Sequence, residues 1–139
     1  MLEPQARQRL TELGLSEGEM SRVGDRVKRV LGQASTMRQY QIVAEVTQAR
    51  YCNAELKAGQ KIVFSCMPFK LDAAQTDCPL CIRALAPVLD PVTTLRELML
   101  AGIDPAGPDM TRGAGCLDPG LEQGGLGHVR FKVYLNKAS

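Results

Sequence analysis

The stretch that most constrains this chain is Asp77-Cys78-Pro79-Leu80-Cys81, which sets two thiols three residues apart where a helical pattern begins. Proline suits the first turn of a helix, because its missing N–H has no intrahelical partner there. Asp77 is a good N-cap, able to accept an amide hydrogen of that turn. Both sulfurs are then expected beside unpaired amides and the positive end of the helix dipole, which favours thiolate over thiol. Thiolates bind metals or attack disulfides. The other cysteines decide between the two.

Five cysteines stand in 139 residues, at positions 52, 66, 78, 81 and 116. A chain this long buries roughly two thirds of its unfolded surface, so it does not strictly need a metal or disulfide staple to fold. Met1-Leu2-Glu3-Pro4-Gln5 opens no apolar signal core, and no apolar run is long enough to cross a bilayer. A cytoplasmic protein with no membrane association is therefore expected. In that compartment cysteines serve metals or redox chemistry rather than structural disulfides. The formal net charge is only +2, no dense Lys/Arg run stands out, and Trp is absent. That balance argues against nucleic-acid binding.

Residues 1–38 read as a helical hairpin. Arg7 to Leu13 is a short helix ending at Gly14, and Ser16 with Glu19 forms a capping box for a second helix ending at Gly32. Met20, Val23, Val27, Val30 and Leu31 make its apolar stripe. Basic and acidic residues nearly balance here, so the hairpin is read as a docking element for a protein partner or a second copy, not a DNA reader.

From Tyr40 the period changes to two. Tyr40, Ile42, Ala44 and Val46 alternate with Gln41, Val43, Glu45 and Thr47, which predicts a strand with one buried face. Cys52 follows in a loop, then a turn at Lys57–Gln60 and a second strand from Lys61 to Ser65, with Cys66 at its end. Leu71 to Thr76 reads as linker. Cys78 to Ala86 reads as a helix that Pro87 ends or kinks. A further helix, capped by Asp90 with Pro91 at its first position, runs to about Met99. A Gly- and Pro-rich loop from Asp104 to Gly127 carries Cys116, and a final strand points Val129, Phe131, Val133 and Leu135 inward. The order predicts an α+β fold over residues 39–139: a small, mainly antiparallel sheet with short helices, preceded by the N-terminal hairpin.

Cys78 and Cys81 form a two-sulfur clip, and Cys52 and Cys116 are expected to complete it as a four-thiolate metal site. Both lie in polar or Gly-rich loops rather than on the apolar faces where inert cysteines hide. Cys66 ends an apolar strand and reads as a core thiol. Thiol–disulfide exchange at Cys78 and Cys81 is the rival chemistry. It needs a strand running straight into the first Cys, which Ala73-Ala74-Gln75-Thr76 makes poorly. It also needs a strand after a downstream proline, whereas Pro119 leads into Gly-rich loop. His128 at the mouth of the last strand reads as a half-exposed surface residue. No phosphate loop, nucleophile elbow or paired-His motif is present, so no catalytic residue is assigned. Gly124-Gly125-Leu126-Gly127 leads into a strand, not a helix, which argues against a phosphate cradle.

Residues 40–135 resemble a family of small uncharacterised proteins of anaerobic bacteria and archaea. The matching residues are Cys52, Gly59, Cys78-Pro79, Ala84, Pro87, Cys116, Asp118 and the strand around Val129 and Phe131. The family's Gly-His is Glu55-Leu56 here, its Asp is Gln60, and Cys81 takes the place of a small residue. If the family site is three Cys and one His, this chain has exchanged the His for a sulfur. The resemblance implies metal binding. Together the readings favour a cysteine-ligated metalloprotein with Cys52, Cys78, Cys81 and Cys116 as ligands. The favoured cofactor is a [4Fe–4S] cluster, in an electron-transfer or accessory subunit rather than an enzyme on its own. The alternatives are a structural zinc module and a CxxC oxidoreductase.

Overall fold

The computed structural model describes residues 2–105, 107 and 110–138. The fold is α+β, and its contacts divide into two compact units, Met1–Met37 and Arg38–Ser139. No helix among the described residues is long and apolar enough to cross a membrane.

The first unit holds α1 (Pro4–Glu12), α2 (Glu17–Met20), α3 (Asp25–Gly32) and α4 (Ala34–Met37). Ser16 caps α2 through the expected reciprocal box: its hydroxyl accepts from the Glu19 amide while the Glu19 carboxylate accepts from the Ser16 amide. The expected single helix to Gly32 is two helices. The chain leaves α2 at Ser21 and restarts after Gly24, whose extended backbone (ψ 162°) serves as the N-cap of α3. Glycine loses the most freedom in a helix, so the break falls beside it. The expected stripe divides with the helix. Met20 is buried, but α3 buries no residue and Val27 is 45% exposed.

The second unit is a five-stranded, fully antiparallel sheet in the order β3-β2-β1-β5-β4, crossed by one long helix. Its elements are β1 (Tyr40–Arg50), β2 (Lys61–Cys66), β3 (Phe69–Leu71), α5 (Ile82–Leu100), β4 (Thr111–Gly115) and β5 (His128–Lys137). Ile42, Ala44 and Val46 of β1 pair with Leu135, Val133 and Phe131 of β5. Ala84, Val88, Val92, Leu95 and Met99 of α5 are buried at three- and four-residue steps, the stripe that lays a helix on a sheet. β1 runs three residues past its expected end and carries a bulge between Val46 and Gln48.

Three further expectations change. Pro87 and Pro91 both lie inside α5, where two helices were expected. Leu71 belongs to β3 rather than to a linker. The expected loop from Asp104 to Gly127 contains β4 and a 3₁₀ turn at Leu121–Gln123, with residues 106, 108 and 109 outside the described set. β4 reads Thr-Arg-Gly-Ala-Gly, with neither alternation nor β-branched residues to announce it beyond Thr111. Its pairing with β5 makes it a strand.

Candidate functional site

Asp77 does not cap a helix. Its carboxylate accepts from the Lys61 amide at 2.7 Å, and its own amide donates to the Lys61 carbonyl at 3.1 Å. The Thr76 hydroxyl accepts from the Val63 amide, and the Asp72 amide donates to the Val63 carbonyl. Residues 72–77 thus close the edge of β2 beyond the reach of β3, and so set where Cys78 enters the fold. Cys78 to Leu80 are non-helical, and α5 begins only at Ile82, with Cys81 as its N-cap. Pro79 therefore precedes the helix instead of opening it. The Ala84 and Leu85 amides donate to the Cys81 carbonyl.

The structure brings Cys52, Cys81 and Cys116 to the wall of one cavity of about 240 Å³, together with Leu56, Arg83 and Asp118. Cys78 is buried, and the charges of Cys52 and Cys81 reach it. Burial above all, then Asp77 and those two thiols, pushes the Cys78 thiol up to about 11. That overturns the expectation of a thiolate poised at a helix start. Cys66 lies outside this cavity. It is buried at the end of β2, and burial raises its thiol to about 11 against the nearby Arg96. All five cysteines are free thiols. Among the described residues, no three His, Cys, Asp or Glu side chains are gathered to hold a single metal ion.

Each thiol on the wall has its own backbone device. Cys52 follows Tyr51 (φ 54°) and precedes Glu55 (φ 64°), two non-glycine residues in the left-handed region. Such residues cost about 1–2 kcal/mol each and persist where the surroundings over-determine them. Cys116 is held by the Val129 amide, which donates to its sulfur at 3.2 Å, while its own amide donates to the Val129 carbonyl. The turn after Cys116 is organised by Asp118, whose carboxylate accepts from the amides of Gly120, Leu126 and Gly127. Those bonds, the one from Gly120 foremost, hold its pKa below the ordinary carboxylate value. The glycine run expected not to cradle a phosphate instead cradles the chain's own anion.

Pro87 anchors this loop through what it lacks. An ordinary residue there would donate its amide to the Arg83 carbonyl, four residues back. Proline leaves that acceptor free, and the Leu117 amide takes it at 2.9 Å. The loop behind Cys116 is thereby tied to the first turns of α5.

His128 lies 3.7 Å from the Cys116 sulfur and 2.8 Å from the Asp118 carbonyl, both measured from Nδ1. A carbonyl only accepts, so Nδ1 carries the proton and the ring's free acceptor is Nε2. Nδ1 is therefore not a base for Cys116. The place of Arg83 on the cavity wall, and the amide bonds through which Asp118 organises the turn, are visible only in the fold. Comparison with known proteins gives no matching family model, no matching curated protein and no matching solved structure.

Proposed function

We propose that this protein is a small cytoplasmic metalloprotein in which Cys52, Cys78, Cys81 and Cys116 hold an iron–sulfur cluster. In this reading it serves as an electron-transfer or accessory subunit of a larger complex and has no catalytic residue of its own. The supporting observation is the shared cavity of Cys52, Cys81 and Cys116, with Cys78 buried beside it and the redundant Cys66 elsewhere. Leu56 lines the same wall as Cys81. Two of the positions at which the chain departs from the family pattern, the ligand lost at Leu56 and the sulfur gained at Cys81, thus face one space. Glu55 stands where that pattern has glycine and adopts a glycine-like φ of 64°. A cluster bound by four thiolates carries net negative charge, and Arg83 on the wall supplies a balancing cation. When bound, the cluster would supply one-electron transfer. The chain supplies the thiolates and a half-buried wall. The partner surface in this reading is the N-terminal helical unit, because α3 is amphipathic by sequence and buries nothing.

Anaerobic purification followed by metal analysis and a visible spectrum tests the proposal. Iron, inorganic sulfide and a broad visible band are expected, and each of the four Cys→Ser substitutions should lower iron content while Cys66→Ser leaves it unchanged. Colourless protein with one zinc per chain would replace the cluster with a structural zinc site. Protein free of any metal, with a trapped mixed disulfide on Cys78 in the Cys81→Ser variant, would replace it with thiol exchange.

A further inference from the structure

A second cavity, of about 330 Å³, lies beside the thiol site and uses none of the four cysteines. Its polar wall is made by Gln48, Arg50, His128 and Arg130, and its exposed apolar rim includes Tyr51, Leu121 and Leu126. In the sheet register Gln48 stands opposite Arg130, and Arg50 opposite His128. Arg50 and Arg130 are therefore diagonal neighbours on one face of the ladder, about 7–8 Å apart, a spacing that long side chains span.

The bulge in β1 creates this arrangement. Val46 faces the core opposite Phe131, and strict alternation from Val46 would send Gln48 and Arg50 to the core side as well. Thr47 is the extra residue. It donates its hydroxyl to the Arg130 carbonyl and shifts the alternation, so that Gln48 and Arg50 join His128 and Arg130 on the other face. Neither Arg50 nor Arg130 has a carboxylate partner among the salt bridges of the described residues. Arg50 lies over the Tyr51 ring, 5.3 Å from its centroid, and Glu122 is the one acidic residue on the wall among the described residues.

We infer that this cavity binds a small organic phosphate, the phosphoryl group on Arg50 and Arg130 and an apolar or ring-shaped body against Tyr51, Leu121 and Leu126. Two guanidinium forks match a dianionic tetrahedral group, whereas a monocarboxylate would leave one fork unneutralised. The volume exceeds what a bare phosphate needs. Apolar side chains exposed at the rim (Tyr51 57%, Leu121 61%, Leu126 51%) supply a surface for the remainder of the molecule.

Phenyl phosphate is the probe, with inorganic phosphate, phenol and benzoate as comparators, titrated into the full chain and followed by calorimetry and amide chemical shifts. Phenyl phosphate is expected to bind most tightly and to shift the amides of residues 48–51 and 128–130. Arg50→Gln and Arg130→Gln should each weaken it about tenfold or more, the scale of losing a charge-assisted hydrogen bond. Both arginines are exposed, so the fold should survive, and circular dichroism checks this. Tyr51→Ala should weaken phenyl phosphate while leaving inorganic phosphate unchanged. Lys132→Gln, on the same face but outside the cavity, should change neither. Absence of binding to the unmodified chain overturns the proposal, as does equal loss in Lys132→Gln, which would mean general charge attraction. Benzoate binding as tightly as phenyl phosphate overturns the assignment to phosphate.

Discussion

Gly127 has no room for a side chain, because a Cβ there would meet the carbonyl oxygens of Tyr51 and Arg50. Gly125 is closed in the same way by the Asp118 carboxylate and by Pro119. Gly127→Ala is expected to destabilise the protein by about 1–3 kcal/mol, since backbone rather than a mobile side chain must give way. Gly113→Ala in β4, where a Cβ would meet nothing within 4 Å, should stay within about 0.5 kcal/mol. Urea unfolding of the two variants checks both. Tyr134 gives a titration at this scale. Burial, with the hydrogen bond it donates to Glu45 at 2.8 Å, pushes its phenol up to about 12. The folded state therefore holds this proton more tightly than the unfolded chain, whose tyrosines titrate near ~10. The contribution is fully present below about pH 10 and is lost as pH rises through 12. An ultraviolet titration should show one phenol ionising near 12, and Tyr134→Phe should remove that step.

α5 shows how a long-range gain overrides a local rule. A proline inside a helix costs about 3 kcal/mol in isolation, which is why Pro87 and Pro91 predict two short helices. The helix continues because its buried stripe from Ala84 to Met99 spans both prolines, and because the carbonyl freed by Pro87 finds the Leu117 amide. Pro87→Ala should restore a competing helical donor to the Arg83 carbonyl. The expected outcome is faster hydrogen exchange at the Leu117 amide and earlier proteolysis between residues 116 and 127, with α5 itself unchanged or firmer. Exchange at Leu117 equal to that of the unsubstituted protein would show that the proline plays no part in anchoring the loop. Leu95, fully buried in the same stripe, sets the scale of the packing: Leu95→Ala should cost about 2–5 kcal/mol in the same urea assay.

At the scale of the whole molecule, the two units Met1–Met37 and Arg38–Ser139 divide the labour in the proposed function. A chain beginning at residue 38 keeps the sheet, α5 and all five cysteines. It should remain folded by circular dichroism and, on the proposed function, keep the metal content of the full chain, while losing any self-association or partner binding carried by the N-terminal helices. Loss of metal on that truncation would place part of the site's support in residues 1–37.

What the sequence determined by itself is what neighbours within four residues decide. The Ser16–Glu19 capping box, the burial of Ile42, Ala44 and Val46, and the inward set Val129, Phe131 and Val133 are local patterns, and the fold carries each of them. Together they made the α+β class and the antiparallel sheet legible. The expectation of a single buried face on β1 does not hold, because Val43 on the opposite face is buried as well, and Leu135, expected inward on β5, is only half-buried. The site was less so. The position of Cys78 depends on Asp77 pairing with Lys61, sixteen residues away, and its burial turned an expected thiolate into a thiol held near 11. β4 became a strand only because β5 offered it a free edge. The facing of Arg50 toward His128 depends on one inserted residue, Thr47, that no periodicity announces. In each case the deciding partner lies far along the chain. Sequence spacing ranks the local alternatives, but the free donor, acceptor or edge that selects among them exists only once the tertiary structure has formed.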